Sequence, residues 1–266
     1  MMTNNEITDL GMLDQPQVST VLFHPRPEPA GYAAITGTNV TIPVAHAVSL
    51  GARFHLKAPT AANVLFFHGN GEIVADYDAL APLYNRLGIN FLCVDYRGYG
   101  RSSGTPSATA LLRDARTAFD FTRKWLAEQR FHGPLVVMGR SLGSAAALEI
   151  AATRIDQVAG LIIESGFASA VHLLALFGVD ADSIGYHDET GFRHLRKIGK
   201  FEKPTLIIHA QRDHLIALSQ GQALYEASGA EEKALVVIPD ADHNDIFQRG
   251  LSQYMQAIKA LVQKVS

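Results

Sequence analysis

The residues Gly139-Arg140-Ser141-Leu142-Gly143 follow the apolar run PLVVM and precede SAAALEIAA, a run of strong helix formers. That order predicts a strand, a sharp turn and a helix. A serine at such a turn sits on a strained backbone, which the small residues on either side tolerate, and its hydroxyl is lifted above the sheet edge. The turn also aims the Leu142 amide and the positive end of the following helix at any oxyanion formed beside Ser141. G-x-S-x-G occurs often by chance; the buried strand before it and the helix after it set this one apart.

A serine hydroxyl is a weak nucleophile at neutral pH, so Ser141 calls for a histidine base and a carboxylate that orients it, in the chain order serine, acid, histidine. Asp213 lies in the loop QRDHLI, just past the apolar run TLIIHA. An acid at the C-terminal end of a parallel strand faces the same crevice as Ser141. His243 follows ALVVIP in the loop DADHND, immediately before the last helical segment, which separates it by position from the other histidines. Glu164, ending GLIIE, is the rival acid and ranks second, while Asp240 and Asp242 suit turn-forming roles.

A second oxyanion donor is expected from the loop His68-Gly69-Asn70-Gly71 after NVLFF, and Asn70 is assigned to it. His68, at the strand end, reads as a brace for that loop. Asp95-Tyr96-Arg97-Gly98-Tyr99-Gly100-Arg101-Ser102 reads as a tight, salt-bridged loop behind it. The single cysteine, Cys93, sits in the apolar run NFLCV, and a buried thiol is inert.

These loops need a scaffold. Short apolar runs at Asn63–His68, Ile89–Tyr96, Leu135–Gly139, Gly160–Glu164, Thr205–Ala210 and Ala234–Ile238 alternate with segments of helical period. The pattern specifies a mostly parallel sheet covered by helices on both faces. Val40–Val44 and Ala52–Lys57 precede them as an antiparallel start. Tyr77, Leu80, Tyr84 and Leu87, stopped by Gly88, predict the first crossover helix, and a second runs from about Ala108 to Gln129 with Leu111, Ala115, Ala118, Thr122 and Trp125 on one stripe. The last starts near Asp245, with Phe247, Leu251, Tyr254, Ile258 and Leu261 facing inward. Residues 167–203 interrupt the alternation and read as a small cap, whose Phe167 and Leu174 are expected to line an acyl pocket.

The length of 266 residues suits one α/β domain spanning 1–266, and the mixture of 47% hydrophobic and 18% charged residues is that of a folded globular protein. A net charge of -3 without a basic cluster gives no footprint for nucleic acid. The polar start MMTNNEITDLGMLDQ lacks the apolar core of a signal peptide, and no apolar stretch reaches the roughly 20 residues of a membrane span. A cytoplasmic location is the expectation. There is no H-E-x-x-H, cysteine cluster or G-x-G-x-x-G, so neither metal nor cofactor is expected.

Taken together, HGNGE, VDYRGYGRSSG, GRSLGS, ALYEASG and DHNDIF resemble one branch of the α/β-hydrolase superfamily: the α/β-hydrolase domain-containing group that includes eukaryotic protein depalmitoylases and uncharacterised bacterial relatives. The similarity runs from about Val21 to the end. It implies the α/β-hydrolase fold with an eight-stranded sheet, the triad Ser141, Asp213 and His243, the oxyanion donors Asn70 and Leu142, and hydrolysis of esters or thioesters of a small-molecule acyl substrate. The cysteine-rich N-terminus of the membrane-bound depalmitoylases is absent here, and the cap matches the group poorly. Amide or peptide hydrolysis with the same triad, and a non-catalytic binding role on the same fold, are the alternative readings.

Overall fold

The computed structural model describes residues 10–34 and 36–265; most of the polar start read above, residues 1–9, lies outside the described residues. Eight strands form one sheet: β1 (Thr38–Ala45), β2 (Val48–His55), β3 (Ala62–Phe67), β4 (Ile89–Val94), β5 (Leu135–Arg140), β6 (Gly160–Glu164), β7 (Thr205–Ala210) and β8 (Lys233–Ile238). Their order is β1-β2-β4-β3-β5-β6-β7-β8. β2 runs antiparallel to both β1 and β4, and every pairing from β4 to β8 is parallel. Strands β3 to β7 are buried along their whole length, which is why they read as unbroken apolar runs. The edge strand β8 is only half-buried.

Alternate residues of these strands feed two apolar cores. Leu65, Phe67, Val137, Leu161 and Ile163 join one, with residues of Ala108–Glu128 and Gly143–Thr153. Val64, Phe66, Val136, Met138 and Ile162 join the other, with residues of Ala81–Arg86 and Ile246–Val265. The period of two along a strand assigns its side chains to opposite faces, so each face is sealed by its own helices. In chain order the helices are α1 (Pro16–Leu22), α2 (Ala81–Arg86), α3 (Ala108–Glu128), α4 (Gly143–Thr153), α5 (Ala170–Leu176), α6 (His194–Gly199), α7 (Leu218–Ala227) and α8 (Ile246–Val265).

Helix α3 follows the expected stripe: Ser107 caps it by accepting from the Ala110 amide, and Leu111, Ala115, Ala118 and Thr122 are buried. Two elements differ from the sequence reading. The helix expected through Tyr77 and Leu87 is divided into a 3-10 turn at Val74–Tyr77 and the short α2, because Pro82 lacks an N–H and fits only a first helical turn. In α8, Gly250 leaves the helical conformation (φ -137°, ψ 27°), which re-phases the stripe. Leu251 is consequently 38% exposed, whereas Tyr254, Ile258 and Leu261 are buried. Residues 167–203 contain no strand; they hold α5, a 3-10 turn at Asp182–Ile184, and α6.

Candidate active site

Ser141 lies where β5 turns into α4, with φ +51°, a left-handed conformation uncommon for any residue but glycine. Its amide donates to the Glu164 carbonyl (2.9 Å), and its carbonyl accepts from the Ser144 amide (2.9 Å) and hydroxyl (2.6 Å). The turn tolerates no bulk beside it. A Cβ on Gly139 would lie 2.2 Å from the Gly143 carbonyl oxygen, and one on Gly143 would lie 2.1 Å from that of Phe67. Both flanking glycines are therefore required by close backbone approach.

The loops after β7 and β8 bring Asp213 and His243 together. Nδ1 of His243 lies 2.8 Å from Oδ2 of Asp213, and both side chains are buried. The other carboxylate oxygen accepts from the amides of Leu215 (3.0 Å) and Ile216 (2.7 Å). Burial would raise the Asp213 carboxyl, but the hydrogen bond and charge of His243 and the Ile216 amide outweigh it and hold it below the usual aspartate range. An ionised Asp213 can only accept, so this hydrogen bond requires an N–H on Nδ1 of His243. Ser141 and His243 line one cavity of about 240 Å³. Among the described residues no hydrogen bond joins Ser141 to His243.

Asn70 and Leu142 line the same cavity, and neither backbone N–H is engaged by another described residue. The Asn70 side chain has all four of its hydrogen-bonding positions filled. Oδ1 accepts from the His24 amide (2.9 Å) and the Tyr99 hydroxyl (2.6 Å), while Nδ2 donates to the Leu22 carbonyl (2.9 Å) and to Nδ1 of His24 (2.8 Å). Behind it, His68 lies between the Gly69 carbonyl (Nδ1, 2.8 Å) and Asp95 (Nε2, 3.3 Å), and the Tyr96 hydroxyl donates to the His68 carbonyl (2.5 Å). The ion pair of the loop after β4 is bidentate, from Arg97 to Asp114 on α3 (2.5 and 2.8 Å).

Glu164, the rival acid, is committed elsewhere: it accepts from Arg140 (2.7 Å) and from the Tyr254 hydroxyl (2.6 Å). Phe167 and Leu174 do not line the cavity over Ser141. Both are about 1% exposed and border a separate void of only about 10 Å³. The side of the cavity next to α5 is formed instead by Leu173, Leu176 and Phe177, which share a face at helical i, i+3, i+4 spacing; Leu174 points about a quarter-turn away, into the core. Leu22 and His24, ahead of β1, supply a further wall that no local pattern announces. Glu72 also lines the cavity, with its Oε1 on Arg140 (2.8 Å) and its Oε2 on the Gly69 amide and the Tyr77 hydroxyl (both 2.6 Å). Burial pulls the Glu72 carboxyl up, but Arg140 and Tyr77 prevail and hold it at about 2.

Burial pushes the Cys93 thiol well above its ordinary range, which suits a structural role. Among the described residues, no group of three or more His, Cys, Asp or Glu side chains is placed to hold a metal, and no helix is long and apolar enough to cross a membrane.

The sheet order, the left-handed serine between strand and helix, and the loops gathered at the C-terminal edge define the α/β-hydrolase fold. A sequence model of the family described as "Serine aminopeptidase, S33" matches residues 58–177. The uncharacterised protein YfhR of Salmonella typhi is 30% identical over 251 residues, covering 89% of this chain and 83% of its own. The chain belongs to the α/β-hydrolase family. Alpha/beta hydrolase domain-containing protein 17B of Homo sapiens is 30% identical over 207 residues, 75% of this chain and 65% of that protein. Protein bem46 of Schizosaccharomyces pombe is 28% identical over 185 residues, 68% of this chain and 61% of its own; the chain thus spans just under two thirds of these last two relatives. In fold it is similar to the Pyrococcus furiosus esterase Pf2001 (TM-score 0.72, 17% identity, 91% of this chain and 99% of that one). It is also similar to Est1E of Butyrivibrio proteoclasticus with ferulic acid bound (TM-score 0.70, 18% identity, 85% and 98%).

Proposed function

We propose that the protein is a serine hydrolase that cleaves carboxylic ester or thioester bonds of small to medium acyl substrates through an acyl-enzyme on Ser141. The observation that carries this reading is the buried Asp213–His243 pair opening onto the same cavity as a left-handed Ser141. In this reading Ser141 attacks the acyl carbonyl as Nε2 of His243 takes its proton, and the unengaged amides of Asn70 and Leu142 receive the oxyanion. His243 then protonates the leaving alcohol or thiol. Water, deprotonated by His243, releases the acid and restores Ser141.

The acyl group rests on Leu22, Leu173, Leu176, Phe177, Leu215 and Ile216, under a cap formed by residues 167–203 of a single 1–266 domain. A second reading, aminopeptidase activity, is favoured by the description of the matching family model. Such an enzyme must hold a free ammonium group, and among the described residues the one carboxylate in the cavity lining is Glu72, whose oxygens already serve Arg140, Gly69 and Tyr77. The ester reading is the better supported. A panel of p-nitrophenyl esters, acyl thioesters and aminoacyl anilides decides between them: turnover confined to the anilides would overturn the proposal.

A further inference from the structure

We propose that Arg140, the residue before the nucleophile, is a positioning residue that fixes the spacing of the oxyanion loop, the elbow and the general base. The inference rests on the assignment of Ser141 and His243 made above. Arg140 ends β5 and is 4% exposed. Its guanidinium reaches three separate parts of the site. Nη2 donates to the backbone carbonyl of His243 (2.9 Å), Nε to Oε1 of Glu72 (2.8 Å), and Nη1 to Oε1 of Glu164 (2.7 Å).

Each contact continues into the chemistry. Glu72 passes the connection to the Gly69 amide, one residue before Asn70, so the oxyanion loop is tied to the strand that carries the nucleophile. Glu164 contributes its carbonyl to the Ser141 amide while its side chain holds Arg140, so the elbow is held from both ends. His243 has two anchors: Asp213 orients the ring, and Arg140 holds the peptide from which the ring projects. A buried guanidinium kept only for charge balance needs a single carboxylate. Here two carboxylates and the base's own carbonyl share it, a planar arrangement that a lysine ammonium on a flexible stem does not reproduce.

The test uses the full chain, with Arg140→Lys and Glu72→Gln beside the parent, each checked for an intact thermal transition. Arg140→Lys keeps the charge and loses the fork; kcat for a p-nitrophenyl ester is expected to fall about 10- to 100-fold, the scale of a misplacement near 1 Å, with KM changed less than about 3-fold. The rate of inactivation by a fluorophosphonate is expected to fall in parallel, because it uses the same base and oxyanion donors. Glu72→Gln cuts only the arm to Gly69 and is expected to give a smaller loss of kcat with KM again held. A folded Arg140→Lys with parental kcat, or with raised KM alone, would overturn the proposal while leaving the nucleophile assignment intact, since Ser141-dependent labelling reports on that separately. If Arg140→Lys does not fold, Glu72→Gln decides: reduced kcat at constant KM supports the role, and parental kcat overturns it.

Discussion

Gly143→Ala tests whether the proposed oxyanion site depends on how closely α4 approaches the end of β3. The added Cβ would lie 2.1 Å from the Phe67 carbonyl oxygen, 2.7 Å from its carbon and 2.9 Å from the His68 carbonyl oxygen, all backbone atoms that no rotamer change can remove. Carbon atoms of this kind keep at least 3.0 Å, so α4 must retreat by about 0.9 Å. The retreat carries the Leu142 amide away from the Asn70 amide. A displacement on the order of 1 Å costs about 100-fold in rate, near 2.7 kcal/mol of transition-state stabilisation, alongside an overpacking cost of about 1–3 kcal/mol in folding. The assay is kcat and KM for p-nitrophenyl butyrate well below the unfolding transition. Gly160→Ala serves as control, since its Cβ would meet neighbours at 3.2 Å or more at the far end of β6. The expected outcome is a kcat about 100-fold lower for Gly143→Ala and a near-parental kcat for Gly160→Ala. A folded Gly143→Ala enzyme with parental kcat would refute the reasoning.

Asp213→Asn leaves the ring of His243 without its charged partner and is expected to lower kcat by about 10⁴, whereas a larger loss for Glu164→Gln would identify the wrong carboxylate. Across p-nitrophenyl esters of increasing chain length, kcat/KM should climb about 4-fold per carbon, at about 0.8 kcal/mol per buried methylene, until the cavity fills. Leu173→Ala and Phe177→Ala should change that profile, and Leu174→Ala should instead lose about 2–5 kcal/mol of stability with the profile unmoved; the reverse pattern would relocate the acyl pocket. Glu72 is held at about 2 against an ordinary 4.5, so its ionisation stabilises the fold fully above pH 4.5 and is lost as the pH falls toward 2. Urea unfolding at pH 4.5 and at pH 2 should therefore show up to about 3 kcal/mol of acid-sensitive stability that Glu72→Gln lacks; equal slopes for parent and variant would contradict this.

What the sequence made legible was local. The runs that became β3 to β7 had to be buried on both faces; Ser141 and Asp213 follow β5 and β7, and His243 follows the half-buried edge strand β8, at the edge where a parallel sheet gathers its loops. The cavity wall was harder to read because VHLLALFGV is apolar at almost every position, so helical period alone does not separate Leu173 from Leu174; burial does, complete for Leu174 and partial for Leu173, which faces the cavity of Ser141. Leu22 and His24 reach the cavity only through tertiary packing, 48 and 46 residues from the Asn70 they hold. The Arg140–Glu72 pair spans 68 residues, a separation at which neither charge pattern nor spacing carries a signal. Pro82 and Gly250, both visible in the sequence, explain the broken helices once their neighbours are known.

The central claim is that Ser141 is the covalent nucleophile. Intact-mass and peptide mass spectrometry after treatment with a fluorophosphonate probe tests it most directly. The parent should gain one phosphonyl adduct on Ser141 and lose ester hydrolysis in step with labelling, while folded Ser141→Ala should gain none and be inactive. An adduct on another residue, or labelling and hydrolysis that persist in Ser141→Ala, would contradict the assignment.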